Sequence, residues 1–276
     1  LGNTDATGPF PFEIPHHKPE KISLMPKLMR KISYDRFGGP EVLALREVPV
    51  PVPGKGEILV RVHAAGINPA DWKMHKGELK ILFGWRLPQG LGMEFAGVID
   101  SIGPGVTGFA PGDRVFGGGK DCMGDYALTK PGKIALMPRG LDFAVASVLP
   151  ITGVTAASVL DKVKFGPGMR VLINGAAGGI GIFVTQFAIK QGAEVTAVAS
   201  AHNAALLQRW GAARVVDYRH SDVQNEGLRY DVIIDLSDTL TLAKTRPILM
   251  PEGSFVASLP VPSQIPGGLW NNLWSK

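Results

Sequence analysis

The residues best suited to chemistry in this chain are the run Gly175-Ala176-Ala177-Gly178-Gly179-Ile180-Gly181. It follows the apolar stretch Arg170–Ile173 and opens a stretch of helical spacing from Ile180 to Gln191. Glycine permits a tight turn and a close backbone approach, and the free N–H groups at a helix start carry partial positive charge. A strand, a glycine loop and a helix in that order form a site for the pyrophosphate of a dinucleotide. Ala177, Gly178, Gly179, Ile180 and Gly181 are the residues expected to line it.

The next strand decides which dinucleotide. It reads Glu194–Val198 and runs on into Ala199-Ser200-Ala201-His202-Asn203. A site for NADH places an acid at the end of that strand, to bind the ribose 2′-hydroxyl. No acid stands there, and Ser200, His202 and Asn203 can donate hydrogen bonds to a 2′-phosphate. Tyr218, after the following strand, is placed to flank the adenosine. The expected cofactor is therefore NADPH. Ser200 and Asn203 are also good caps for the helix read from Asn203 to Trp210, and the two roles are compatible.

The elements that must hold these residues change character along the chain. Residues 1–28 are rich in proline and lack periodicity, so an irregular extension is expected; the adjacent pair His16-His17 shares no face and suggests no metal site. From 29 to about 150, short strands are expected at Lys31–Asp35, Leu43–Val48, Glu57–Ala64, Gly97–Ile102 and Arg114–Phe116. The turns Gly38-Gly39-Pro40, Gly103-Pro104-Gly105 and Pro111-Gly112-Asp113 separate them. That spacing predicts a β-barrel or another β-rich domain. From 151 onward strands alternate with helices, which predicts βαβ units and a parallel sheet. Further strands are expected at Arg214–Asp217, Asp231–Asp235 and Gly253–Val256, and the first helix is expected to bury Phe183, Phe187 and Ile189.

Composition narrows the function classes. The net charge is +5, but the 29 lysines and arginines are scattered and no nucleic-acid motif accompanies them. No nucleic-acid partner is expected. A single cysteine, Cys122, rules out an internal disulfide and a four-cysteine zinc site. It is read as a loop or core thiol. No apolar run reaches the length needed to span a bilayer, about 18 residues. The tryptophans Trp270 and Trp274 suggest packing, with a peripheral membrane contact left open. The first 30 residues have no apolar signal core and contain Asp5, Glu13 and Glu20. A cytoplasmic location is the expectation, with an organelle left open.

Six ordered landmarks resemble the quinone oxidoreductase branch of the medium-chain dehydrogenases/reductases, with a particular likeness to the chloroplast-envelope homologues. They are Phe37–Val42 (FGGPEV), Ala65–Lys73 (AGINPADWK), Gly92–Val98 (GMEFAGV), Val106–Val115 (VTGFAPGDRV), Gly153–Ala157 (GVTAA) and the glycine loop. The resemblance runs from about Met29 to Val261. It implies a GroES-like β-barrel catalytic domain at 29–150 and a doubly wound Rossmann domain at 151–276. Family members continue beyond the strand at Gly253–Val256, so the parallel sheet is expected to lack its last strand. A homodimer would depend on that missing part. Zinc-dependent relatives carry Cys and His where this chain has Asn68 and Met93, so the resemblance implies no metal.

The resemblance also suggests roles. It implies hydride transfer to a quinone or to the β-carbon of an activated alkene or enone. Asn68 is the candidate for orienting nicotinamide or substrate, and Lys73 for donating to the developing oxyanion. Asp71 is the candidate for holding the loop or Lys73. Thr152 and Ser237 are expected cofactor contacts, and Glu94 a structural residue. Trp72, Trp85 and Phe116 are candidates for the apolar wall of the substrate pocket. A second reading is a 2-alkenal or enoyl reductase on the same scaffold; the absence of tyrosine from residues 66–92 counts against thioester substrates. A third is a non-catalytic NADPH-binding protein.

Overall fold

The computed structural model describes residues 27–80, 84 and 86–257 of the 276. The expectations for His16, His17, Trp85, Trp270 and Trp274 fall outside them.

The first half is antiparallel. In chain order it comprises β1 (Leu28–Tyr34), β2 (Ala44–Pro49), β3 (Ile58–Ala65), the helix α1 (Pro69–His75), β4 (Gln89–Gly90), β5 (Glu94–Ile102), β6 (Arg114–Gly118), β7 (Tyr126–Thr129) and β8 (Ile134–Leu136). They form a three-stranded sheet of order β2-β1-β4 and a five-stranded sheet of order β7-β3-β5-β6-β8. An isolated bridge from Lys31 to Gly124 joins β1 to the chain leading into β7. Ile58, Val60, Phe95, Ile99 and Val115 pack into one apolar cluster, and Cys122 is buried among them.

Two short helices, α2 (Phe143–Ser147) and α3 (Pro150–Leu160), lead into the second half. It comprises β9 (Arg170–Asn174), α4 (Gly181–Lys190), β10 (Glu194–Ala199), α5 (Ala204–Trp210), β11 (Arg214–Asp217), β12 (Tyr230–Asp235), α6 (Leu242–Thr245) and β13 (Leu249–Ala257). The strands are parallel, in the order β11-β10-β9-β12-β13. The order reverses beside β9, and in open α/β sheets ligands bind at the carboxyl ends of strands next to such a switch point. The glycine loop leaves β9 there.

The α4 face departs from the sequence expectation. The helix buries Gly181, Val184, Thr185 and Ala188 rather than Phe183, Phe187 and Ile189. Small residues let its backbone approach the sheet. Phe183 and Ile189 pack on the rim, and Phe187 is 39% exposed, edge-on to Phe165. Three strands also begin earlier than expected, the first of them β1, which starts at Leu28 rather than Lys31 and so reaches into the stretch expected to be irregular. β5 starts at Glu94, whose charge masked a buried position, and β13 runs through Pro251 and Gly253 with an irregular register against β12. The helix expected at Asn203 starts at Ala204, after a single 3-10 turn at Ala201–Asn203.

Candidate active site

The glycine loop is a steric solution. Gly175 has φ of +84°, and a Cβ placed on Gly181 would lie 2.1 Å from the Gly175 carbonyl oxygen. Gly175 and Ala176 donate their N–H groups to Val198 O on β10, at 3.0 and 3.1 Å, which holds the start of the loop against the sheet. Among the described residues, the N–H groups of Ala177, Gly179 and Ile180 reach no backbone acceptor. These donors, gathered at the start of α4, fit a pyrophosphate.

Thr152 closes one side of this cradle. Its hydroxyl donates to Val148 O at 2.8 Å within the helical segment. Its methyl group would lie 2.9 Å from a Cβ on Gly179, so Gly179 is the residue that admits it. Thr152 and the glycine loop, predicted separately, are therefore neighbours.

Glu94 links the two halves. It is 1% exposed; Oε1 accepts from Asn68 Nδ2 at 2.7 Å, and Oε2 accepts from Ile151 N at 2.8 Å, in the first turn of α3. Gly66 makes room for it, since a Cβ there would lie 2.2 Å from Oε1. Burial pushes the Glu94 carboxyl up, and hydrogen bonds from Ile151 and Asn68 pull it back. The structural reading of Glu94 thus acquires a mechanism: one carboxylate fixes both the Asn68 side chain and the start of α3.

Asn68 and Asp71 form the cap of α1. Asn68 N donates to Asp71 Oδ2 at 2.7 Å, and Asp71 N donates to Asn68 O at 2.9 Å. The Asp71 carboxylate thus supplies the side-chain half of a capping box, while its own N–H closes a backbone turn onto Asn68. Asp71 is 1% exposed and its carboxyl is pushed up by burial. Its carboxylate accepts from the loop backbone at Asn68 N, and among the described residues no ion pair joins it to Lys73. Lys73 is half-buried, and its charge instead lowers the pKa of Asp238, a group that desolvation otherwise raises. Asp238 sits in the left-handed region, φ +57°, on the loop after β12.

That loop is built around Asp235, which is fully buried. Its Oδ1 accepts from Asn174 Nδ2 at 2.8 Å, Ser237 Oγ at 3.0 Å and Ser237 N at 3.2 Å. Its Oδ2 accepts from Leu240 N at 3.0 Å. Asn174 Nδ2 also donates to Ser237 Oγ and Thr239 Oγ1. Ser237 is therefore placed at the carboxyl ends of β9 and β12, held by the network and itself exposed.

At the other end of the site, Ser200 and Asn203 make no side-chain cap bond; Asn203 Nδ2 donates to Ser200 Oγ at 3.3 Å. The capping role expected of them is not the one they adopt. His202 and Tyr218 are exposed. β10 and β11 run level, with Ala199 paired to Asp217, so Ser200–Asn203 and Tyr218 leave adjacent strand ends.

The remaining candidates divide. Trp72 is 42% exposed on α1, with Lys76 Nζ 4.7 Å and Lys73 Nζ 5.7 Å from its ring centroid, so it is no core residue. Phe116 is half-buried on β6. Burial pushes the Cys122 thiol up to about 12, which leaves it protonated and inert at neutral pH. Sequence reasoning did not find Asn174, Asp235, Asp238 or Thr239. The polar run Asp235–Thr239 after a buried strand was a signal, but pairing Asn174 with Asp235 required the strand order.

An antiparallel GroES-like half joined to a Rossmann half defines a medium-chain dehydrogenase/reductase. Residues 54–164 match the alcohol dehydrogenase GroES-like domain. The chain is 32% identical over 253 residues to the chloroplastic quinone oxidoreductase of Triphysaria versicolor, covering 86% of this chain and 76% of that protein. It is 30% identical over 224 residues to the chloroplastic NADPH-dependent alkenal/one oxidoreductase of Arabidopsis thaliana, covering 76% of this chain and 58% of that protein. The structure of the quinone oxidoreductase from Coxiella burnetii matches with a TM-score of 0.76 at 33% identity, over 84% of this chain and 75% of that one. This chain belongs to the quinone oxidoreductase family, and it is an oxidoreductase. Among the described residues, no helix is long and apolar enough to cross a membrane.

Proposed function

We propose that this protein is an NADPH-dependent reductase that delivers hydride, without zinc, to a quinone or to the β-carbon of an activated alkene. The observation that carries this reading is the glycine cradle with unpartnered N–H donors, closed by Thr152 and connected through Glu94 to Asn68. Residues 29–150 act as the catalytic domain and 151–276 as the NADP-binding domain. Ala177, Gly178, Gly179, Ile180 and Gly181 hold the pyrophosphate. Ser200, His202, Asn203 and Tyr218 hold the phosphorylated adenosine, and Thr152 and Ser237 approach the nicotinamide half.

The nicotinamide, when bound, supplies the hydride; the protein positions and polarises. Asn68 has one amide hydrogen bonded to Glu94, which holds the side chain in one orientation; its second N–H and its carbonyl are the orienting groups for nicotinamide or substrate. Lys73 places a positive charge where the substrate oxygen gains negative charge. Trp72 and Phe116 flank the substrate. Asn68, whose amide nitrogen is a donor to Glu94, is a poor zinc ligand, which supports a metal-free mechanism.

Two measurements test this. Nucleotide fluorescence titration is expected to give NADPH binding at least tenfold tighter than NADH, about 1.4 kcal/mol. NADPH oxidation assays are expected to show turnover with quinones or alkenals that survives metal chelation. Binding without turnover of any such acceptor would support a non-catalytic NADPH-binding protein instead. The likeness to an alkenal/one oxidoreductase favours one second reading, a preference for enones over quinones. Comparison of kcat/KM for the two acceptor classes decides it.

A further inference from the structure

Ser200, His202 and Asn203 supply neutral or weakly basic donors but no lysine or arginine for a doubly charged 2′-phosphate. The neighbouring turn supplies one. β11 ends at Asp217, level with Ala199 of β10, and the chain continues Tyr218-Arg219-His220. The Arg219 guanidinium lies 5.7 Å from the Tyr218 ring centroid. Both side chains belong to exposed residues, and Arg219 makes no ion pair among the described residues.

An acid so near a phosphate site would ordinarily repel it. Asp217 is occupied instead. Its Oδ1 accepts from Arg219 N at 3.1 Å and its Oδ2 pairs with His220 Nδ1 at 2.9 Å. The carboxylate therefore fixes the turn after β11, which leaves the sheet beside the loop after β10. Its side chain is 17% exposed, against 79% for His220. The acid faces inward among donors while the cation faces out.

We infer that Arg219 is the specificity-determining residue for the 2′-phosphate, set in place by the hydrogen bond from its own N–H to Asp217. This rests on the NADPH reading above. Arg219 reads the phosphate as a planar fork of N–H donors braced against Tyr218.

The test is a fluorescence titration of the full chain, the Arg219→Met variant and the Arg219→Lys variant with NADPH and with NADH. Arg219 is exposed, so the variants are expected to fold. Arg219→Met is expected to weaken NADPH at least tenfold and to leave NADH within twofold. Arg219→Lys is expected to recover part of the loss, because charge returns without the fork. The salt dependence of NADPH binding is expected to become shallower in Arg219→Met. An Arg219→Met variant that keeps the parent's NADPH-to-NADH ratio overturns the inference while the NADPH reading stands. A parent chain that binds both nucleotides equally, or neither, overturns the NADPH reading and this inference with it.

Discussion

At the scale of single residues, the site is limited by what cannot be added. Gly181 faces the Gly175 carbonyl at a distance no Cβ can occupy, and the obstacle is backbone rather than a movable side chain. Gly181→Ala is expected to cost about 1–3 kcal/mol of stability, as overpacking does. It is also expected to abolish nucleotide binding, with denaturant melts and titrations as the two readouts. Lys73 is limited by charge. Replacement with Met removes the cation that faces Asp238 and the proposed substrate oxygen. The expected result is a fall in kcat of about a hundredfold with unchanged NADPH affinity. A matching loss of NADPH affinity would place Lys73 in cofactor binding instead. The glycine loop was legible in the sequence because its constraint is local: strand, turn and helix lie within a few residues. The companion role given to Asp71 was not legible, because both a cap and an ion pair fit the same spacing, and only the folded loop separates them.

At the scale of elements, the ends of strands do the positioning. Asp235 ends β12 and organises the loop through Leu240, with Asn174 at the end of β9 as its partner. Asp235→Ala would strand the Leu240 and Ser237 N–H groups and one bond of the Asn174 amide. A loss of about 2–3 kcal/mol is expected, seen as a lower urea midpoint at unchanged m-value. An unchanged midpoint would mean that water replaces the carboxylate. The alternation of strands and helices after residue 151 was readable, as were most strand centres. Strand limits were readable only where polarity marks them. Glu94 hid the start of β5 because a buried, fully hydrogen-bonded acid looks like a surface residue in sequence. The α4 face was misread for the opposite reason: large aromatics promise burial, but a helix packed close on a sheet buries its smallest residues.

At the scale of the whole molecule, Glu94 and Asp71 are two buried groups through which stability responds to pH. Burial raises Glu94 above its ordinary 4.5 and Asp71 above its ordinary 3.8. The folded chain then holds these protons more tightly than the unfolded chain does. Their contribution is fully present below the ordinary values and is lost as pH rises through the raised ones. Glu94→Gln removes one of the two groups, so its stability is expected to fall less steeply with rising pH than that of the parent. Its amide also offers one acceptor where Asn68 and Ile151 need two, a cost of about 1–3 kcal/mol at neutral pH. Urea midpoints measured across that window give both numbers. A variant with the parent's slope would mean that Glu94 titrates normally.

The same carboxylate has a consequence for how two ligands at the site feel each other. Asn68 is bonded to Glu94, Glu94 to Ile151, and the next residue, Thr152, packs on Gly179. The acceptor end and the phosphate end thus share one short chain of contacts. Coupling between two ligands is reciprocal: whatever factor one gains from the other, the other gains in return. A quinone analogue is expected to bind tighter with nucleotide in place, and the nucleotide by the same factor with analogue in place. In Glu94→Gln that factor is expected to shrink towards one. Titration of each ligand with and without the other measures it, and an unchanged factor in the variant would mean that this chain of contacts carries no coupling.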